Sequence, residues 1–157
     1  MIDGNFFSNI KNSIKECIKK DVQFKNIPFK DSVYNLSPNS FNHNQPIMVI
    51  GLNEIQSIKP SGICGYQVTQ TLSIEYHTKS DNKKDWESEI GMINLKIINL
   101  IQTELDQDTL FDIDIDLKFT YANTGRFRKE ENNKDKILSN AGVIRYNLKY
   151  YLEDVIL

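Results

Sequence analysis

Cysteine, histidine, tryptophan and long apolar runs are all scarce in this sequence, and each scarcity excludes something. The two cysteines, Cys17 and Cys64, stand far apart and form no C-x-x-C, so neither a disulfide framework nor a zinc site is expected and both thiols are expected reduced and at least partly buried. The two histidines, His43 in an Asn-rich stretch and His77 at a strand end, have no cysteine or second histidine at ligand spacing; both are expected at the surface, with no metal and no cofactor. No P-loop, GxGxxG or GxSxG occurs among the seven glycines, which leaves phosphate-cradling and esterase chemistry without support. No apolar run approaches the roughly 20 residues that span a bilayer. Met1 to Phe7 shows neither a basic n-region nor an apolar h-region, so an intracellular product that does not meet a membrane is expected. A net charge of −2 gives no global attraction to nucleic-acid phosphates.

What is present is periodicity. From Gly65 to Tyr121 the chain reads strand, helix, strand. Tyr66, Val68, Leu72, Ile74 and Tyr76 share one parity, opposite Gln67, Thr69, Thr71, Ser73 and Glu75, the period of a half-buried strand. After Ser80 and Asp81, Trp86, Ile90, Ile93, Ile97 and Leu100 recur at steps of four and three, the stripe of an amphipathic helix anchored by Trp86. Alternation then returns: Ile113, Ile115, Leu117, Phe119 and Tyr121 share a face opposite Asp112, Asp114, Asp116, Lys118 and Thr120.

The flanks follow the same logic. Phe7, Ile10, Ile14, Cys17 and Ile18 predict a first helix over about 6–20. Pro28, Pro38 and Pro46 punctuate an irregular arm at about 21–46, with a short extended piece at Ser32 to Leu36. Ile47 to Leu52 is apolar on both parities, as in a strand covered on both faces, and Ile55 and Ile58 prolong it. Pro60, Gly62 and Gly65 turn it into the next strand as an antiparallel hairpin. Residues 122–141 are polar throughout and read as a long hairpin tip, too poor in apolar surface to order itself alone. Gly142 to Leu152 closes the sheet. The expected fold is a single α+β domain spanning 1–157, a two-layer sandwich with a mostly antiparallel four-stranded sheet and two helices on one face, in the order α-β-β-α-β-β.

One cluster suggests chemistry. Asp112, Asp114, Asp116 and Lys118 lie at i, i+2 spacing on one strand face, and Asp116-Leu117-Lys118 matches the acid-x-Lys half of a divalent-metal nuclease, in which Asp114 and Asp116 would hold the ion and Lys118 would position water. In that nuclease fold the second carboxylate comes from the neighbouring strand of a hairpin, whereas here a helix precedes. The competing reading is a hydrated or partner-facing acidic surface.

The order of elements, with GYQVTQTLSIEYHTKS in the second strand, DNKKDWESEIGMINLKIINLI in the helix and GVIRYNLKYYLED at the end, resembles the tail-terminator (tail-completion) proteins of long-tailed bacteriophages. The resemblance covers about residues 6–153. It implies a non-enzymatic virion protein assembled in the bacterial host cytoplasm: a homo-hexameric ring on the tail tube that stops polymerisation of the major tail-tube protein and presents a surface to the head-tail connector or neck proteins. It further implies tube contact through Arg126, Phe127, Arg128 and Lys129, and a channel lined by Asp112, Asp114 and Asp116 through which DNA passes in transit. The length and polarity of residues 122–140 depart from a typical member. A head-completion or neck protein of the same particle is the nearest alternative, ahead of the nuclease.

Overall fold

The N-terminal stripe forms helix α1, Phe6–Lys19, in the computed structural model, which describes residues 4–30, 46–62, 65–80, 85–111 and 115–153. Phe6, Ile10, Ile14, Cys17 and Ile18 are its buried residues, as their spacing requires. Phe6 rather than Phe7 begins the stripe. Its ring meets Tyr150 edge-on at 5.2 Å, whereas Phe7 remains 38% exposed.

Five strands follow: β1 (Phe29–Lys30), β2 (Ile47–Pro60), β3 (Tyr66–Lys79), then helix α2 (Trp86–Asp106), β4 (Asp116–Glu131) and β5 (Lys134–Leu152). They form one sheet in the order β1-β2-β3-β5-β4, antiparallel throughout except where β1 runs parallel to β2. The two hairpins and the α+β class agree with the sequence; the sheet has five strands rather than four because the arm contributes β1. The extended piece expected at Ser32 to Leu36 lies outside the described residues.

Both helices bury their apolar sides on the same face. Ile93, Ile97 and Ile101 of α2 join the α1 stripe and Val68, Leu72, Ile74, Ile144, Tyr146 and Leu148 of β3 and β5 in one core. Each large side chain fully buried there contributes about 1.5–3 kcal/mol. Along β3 and β5 the even-numbered residues face the helices and the odd-numbered ones face away, the alternation that a one-sided sheet demands. Ile47 to Ile50 of β2 are buried on both parities, as a run without alternation should be.

α2 approaches β5 at Gly142. A Cβ there would lie 2.2 Å from Asn94 Oδ1 and 2.7 Å from Ile90 Cγ2, so only glycine lets the helix sit this low. The Asn94 amide donates to the Asn123 carbonyl at 2.9 Å. This links α2 to β4 through a polar side chain in an otherwise apolar stripe.

Three expectations need correction. The polar stretch 122–141 is a hairpin, but an ordered one: β4 and β5 stay paired to Glu131 and Lys134, joined only by Asn132 and Asn133, whose φ values of 51° and 61° are the left-handed pair of a two-residue hairpin turn. Backbone pairing and this turn order a segment that side-chain burial alone would not. Tyr121 does not share a face with Leu117 and Phe119, because a bulge at Thr120 changes the parity: Phe119 pairs Tyr146 but Tyr121 pairs Arg145. Trp86 does not anchor α2. It is the first helical residue and only half-buried, with the Arg126 guanidinium 5.4 Å over its ring.

Candidate interaction face

The face of the sheet turned away from the helices has a dry end and a wet end. At the dry end Ile47, Val49, His77, Ser139 and Ala141 are all at most 5% exposed. His77 Nδ1 is 2.8 Å from Ser139 Oγ, its Nε2 is 3.8 Å from Glu75 Oε2, and its ring meets Phe127 edge-on at 5.9 Å. Histidine, serine and a carboxylate in line suggest acyl-transfer chemistry by composition, but His77 and Ser139 are both enclosed. Ser139 satisfies His77 Nδ1, while the buried Nε2 has no hydrogen-bond partner among the described residues. The expectation of a surface histidine is therefore wrong for His77; its parity, shared with Glu75 and Ser73, suggested water. His43 lies outside the described residues.

The wet end is a shallow polar surface. Asn53, Gln56, Thr71, Thr120, Tyr121, Arg145 and Asn147 line one continuous depression. Arg145 stacks over Tyr121 with 5.4 Å to the ring centroid, Thr120 Oγ1 donates to the Arg145 carbonyl at 2.9 Å, and Gln56 donates to Thr71 Oγ1 at 3.1 Å. These bonds hold polar side chains flat against the strands. The bulge at Thr120 is what brings Tyr121 onto this face at all.

Of the acidic row, Asp112 and Asp114 lie outside the described residues. Asp116 opens β4, opposite Lys149 in register, with Lys118 Nζ 3.5 Å from its Oδ2. Both side chains are well exposed, so the pair is worth at most a few tenths of a kcal/mol. Around Asp116 the described face carries Lys118, Arg145 and Lys149, and its character there is mixed rather than acidic. Among the described residues no three His, Cys, Asp or Glu side chains gather where they could hold a metal ion.

The structure separates the four residues implied for tube contact. Arg126 faces the helix side and covers Trp86; Phe127 turns to the far side and covers His77. Arg128 and Lys129 lie further out, both exposed. The last row that β5 shares with β3 is Lys79 with Ser139, so from Arg128 onward β4 and β5 continue as a two-stranded ribbon. Its rows Arg128 with Ile137 through Glu131 with Lys134 extend about 13 Å at roughly 3.3 Å per residue. Exposed Lys134 and Lys136 add two cations, and Glu130, Glu131 and Asp135 on the same rows make its charge mixed. Sequence reading expected a long hairpin tip here but not strand pairing out to its end, for which Asn132-Asn133 was the signal.

On the opposite layer a groove runs between α1 and the end of α2, lined by Ile10, Ser13, Cys17, Lys20, Glu104 and Thr109 among others. Lys20 Nζ is 2.8 Å from Glu104 Oε1. Hydrogen bonds from Lys20 and then Thr109 pull the Glu104 carboxyl below its ordinary range, and the same bond raises Lys20. Cys17 donates its thiol to the Leu100 carbonyl at 3.5 Å, and burial, with Glu104 second, pushes its pKa up to about 11. Such a thiol is not a nucleophile at neutral pH. No helix among the described residues is long and apolar enough to cross a membrane.

No family model matches the chain, and no curated protein matches it either.

Proposed function

We propose that the chain is a structural, non-catalytic tail-terminator protein. In this reading it forms a hexameric ring on the end of a phage tail tube within the virion, stops polymerisation of the tube protein, and offers its other side to head-side neck or connector proteins. DNA passes only in transit, and no cofactor is needed. The order of helix, hairpin, helix and hairpin on a one-sided sheet supports the resemblance drawn from the sequence.

The observation that carries the reading is the β4–β5 ribbon. A two-stranded projection of mixed charge, fixed to the body at its base by Arg126 on Trp86 and Phe127 on His77, suits docking on another protein better than it suits turnover of a small molecule. Arg128 and Lys129 are the residues of the implied contact set that lie on it. The wet sheet face, with its flat polar side chains, is the surface proposed to line the channel. Negative charge of the aspartate row, Asp116 among it, would keep DNA from sticking there.

The test is capping. The purified chain, added to polymerising tail-tube protein, should shorten the tubes and show six-fold caps by negative-stain imaging. Replacing Arg128 and Lys129 by Glu should abolish capping with the thermal unfolding temperature unchanged. Tubes that grow to normal length beside excess folded protein would refute the reading.

A further inference from the structure

Strand order and strand direction together define how copies of this chain can meet. Running from one edge of the main sheet to the other, β2, β3, β5 and β4 alternate in direction. An even number of alternating strands has opposite directions at its two edges. A second copy placed alongside in the same orientation therefore presents its β2 antiparallel to the first copy's β4, and the antiparallel pattern continues across the junction. Both edges are open among the described residues. β1 occupies β2 only at Met48 and Val49, and β4 has β5 as its sole neighbour.

The side chains agree with this placement. Ile55 and Ile58 on β2 are 51% and 55% exposed, and Phe119 on β4 is 42% exposed. All three lie on the helix side of the sheet: Ile55 pairs Gln70, Ile58 pairs Val68 and Phe119 pairs Tyr146. They lie on successive rows of that side: Phe119 is in line with Tyr146, Leu72 and Leu52, and Ile58 with Val68 and Tyr150. Across the sheet Ile55 is in line with Gln70, Leu148 and Leu117, two residues from Phe119. A sideways step with no axial shift sets Phe119 opposite Leu52 of the next copy and diagonal to Ile55, within reach of an aromatic side chain, and leaves Ile58 four residues away. Bulges flank these residues on both edges. They add the local twist and bend that closing sheets into a ring demands.

We infer that copies of this chain associate head to tail by antiparallel pairing of the β4 edge of one with the β2 edge of the next, with Phe119 packed against Leu52 and Ile55. The contact rests on strand geometry, and its closure into a ring rests on the function proposed above.

Two edge-blocked variants test it: Ile55→Lys/Ile58→Lys on β2 and Phe119→Lys/Tyr121→Lys on β4, each checked for folding by circular dichroism. Sedimentation should show the parent assembling and each variant alone monomeric, while their equimolar mixture forms a one-to-one dimer through the single intact pair of edges. A β2-blocked variant that still dimerises while the β4-blocked one does not would mean β4 pairs with itself, and overturns the inference. So would assembly by both variants, or a parent that stays monomeric at high concentration. Should the lysines unfold β4, Leu52→Cys mixed with Phe119→Cys should give an oxidised cross-linked dimer that Phe119→Cys alone does not, and equal cross-linking of Phe119→Cys alone would count against head-to-tail pairing. Edge-blocked variants that still cap tubes would defeat this contact and leave the tail-terminator reading standing. Head-to-tail assembly without capping would do the reverse.

Discussion

Replacing Gly142 by Ala should be among the most damaging single-methyl additions this chain can receive. The new Cβ would lie 2.2 Å from Asn94 Oδ1, 2.9 Å from its Cγ and 2.7 Å from Ile90 Cγ2, where ordinary contacts begin at 3.4 Å. Asn94 or the whole of α2 must therefore give by more than an ångström. Overpacking of this kind costs about 1–3 kcal/mol. Rotating the amide away also forfeits its bond to the Asn123 carbonyl, about another 1 kcal/mol. A total of about 2–4 kcal/mol lowers the unfolding temperature of a chain this size on the order of 10 °C. Urea titration followed through the single tryptophan, Trp86 at the start of α2, measures it. The control is Asn94→Ala, which should be nearly neutral alone, since it removes an unpaired buried Oδ1 along with the amide bond. Combined with Gly142→Ala it should restore part of the loss, because the contact with Asn94 is then gone and only that with Ile90 Cγ2 remains. A Gly142→Ala chain within about 0.5 kcal/mol of the parent, or a double variant showing the plain sum of the singles, would refute the account of how α2 is seated.

Asn133→Gly should stabilise the hairpin by up to about 1 kcal/mol, since both turn residues hold positive φ and glycine does so without cost; no gain in urea midpoint would mean the turn is not as described. Lys20→Met should raise the Glu104 pKa toward the ordinary carboxylate value in an NMR titration. Because the Glu104 pKa is lowered on folding, its contribution to stability is present above the ordinary value and fades as pH falls through the lowered one, and the variant should lose that pH dependence. An unchanged Glu104 titration would break the link to Lys20. Cys17, with its pKa near 11, should resist alkylation in the native state at mildly alkaline pH and react only on unfolding; rapid native labelling seen by mass spectrometry would refute its burial.

Much of this fold is legible from period alone. The α1 stripe, the two-sided burial of Ile47 to Ile50 and the one-sided alternation of β3 and β5 each follow from which residues must leave water, and that is a property of the sequence. What escaped depends on geometry between elements. Trp86 fits the α2 stripe by spacing, yet it falls at the helix start, where Arg126 supplies its cover in place of the core. His77 occupies a polar parity and is nonetheless buried, because Ser139 and Phe127 close over it. The ribbon's order in residues 122–141 was hidden because it comes from backbone pairing, which composition does not report. The candidate interaction face was readable as a polar sheet face, but not its membership: Tyr121 joins it only through the bulge, and Asp116 meets Lys118 and Lys149 there.

That bulge also governs which changes in chain length β4 can absorb. Phe119 already pairs Tyr146 and Tyr121 already pairs Arg145, so losing Thr120 would leave every pair of the ladder intact and only straighten the strand. Losing a residue from the regular stretch beyond it, at Ala122 or Asn123 for example, would move Arg126 off Trp86 and Phe127 off His77 in one step, exchanging the two sides of the ribbon. Thr120 is thus the position on this strand where a codon can be deleted without readdressing the residues that follow, and homologues that differ in β4 length should differ there first.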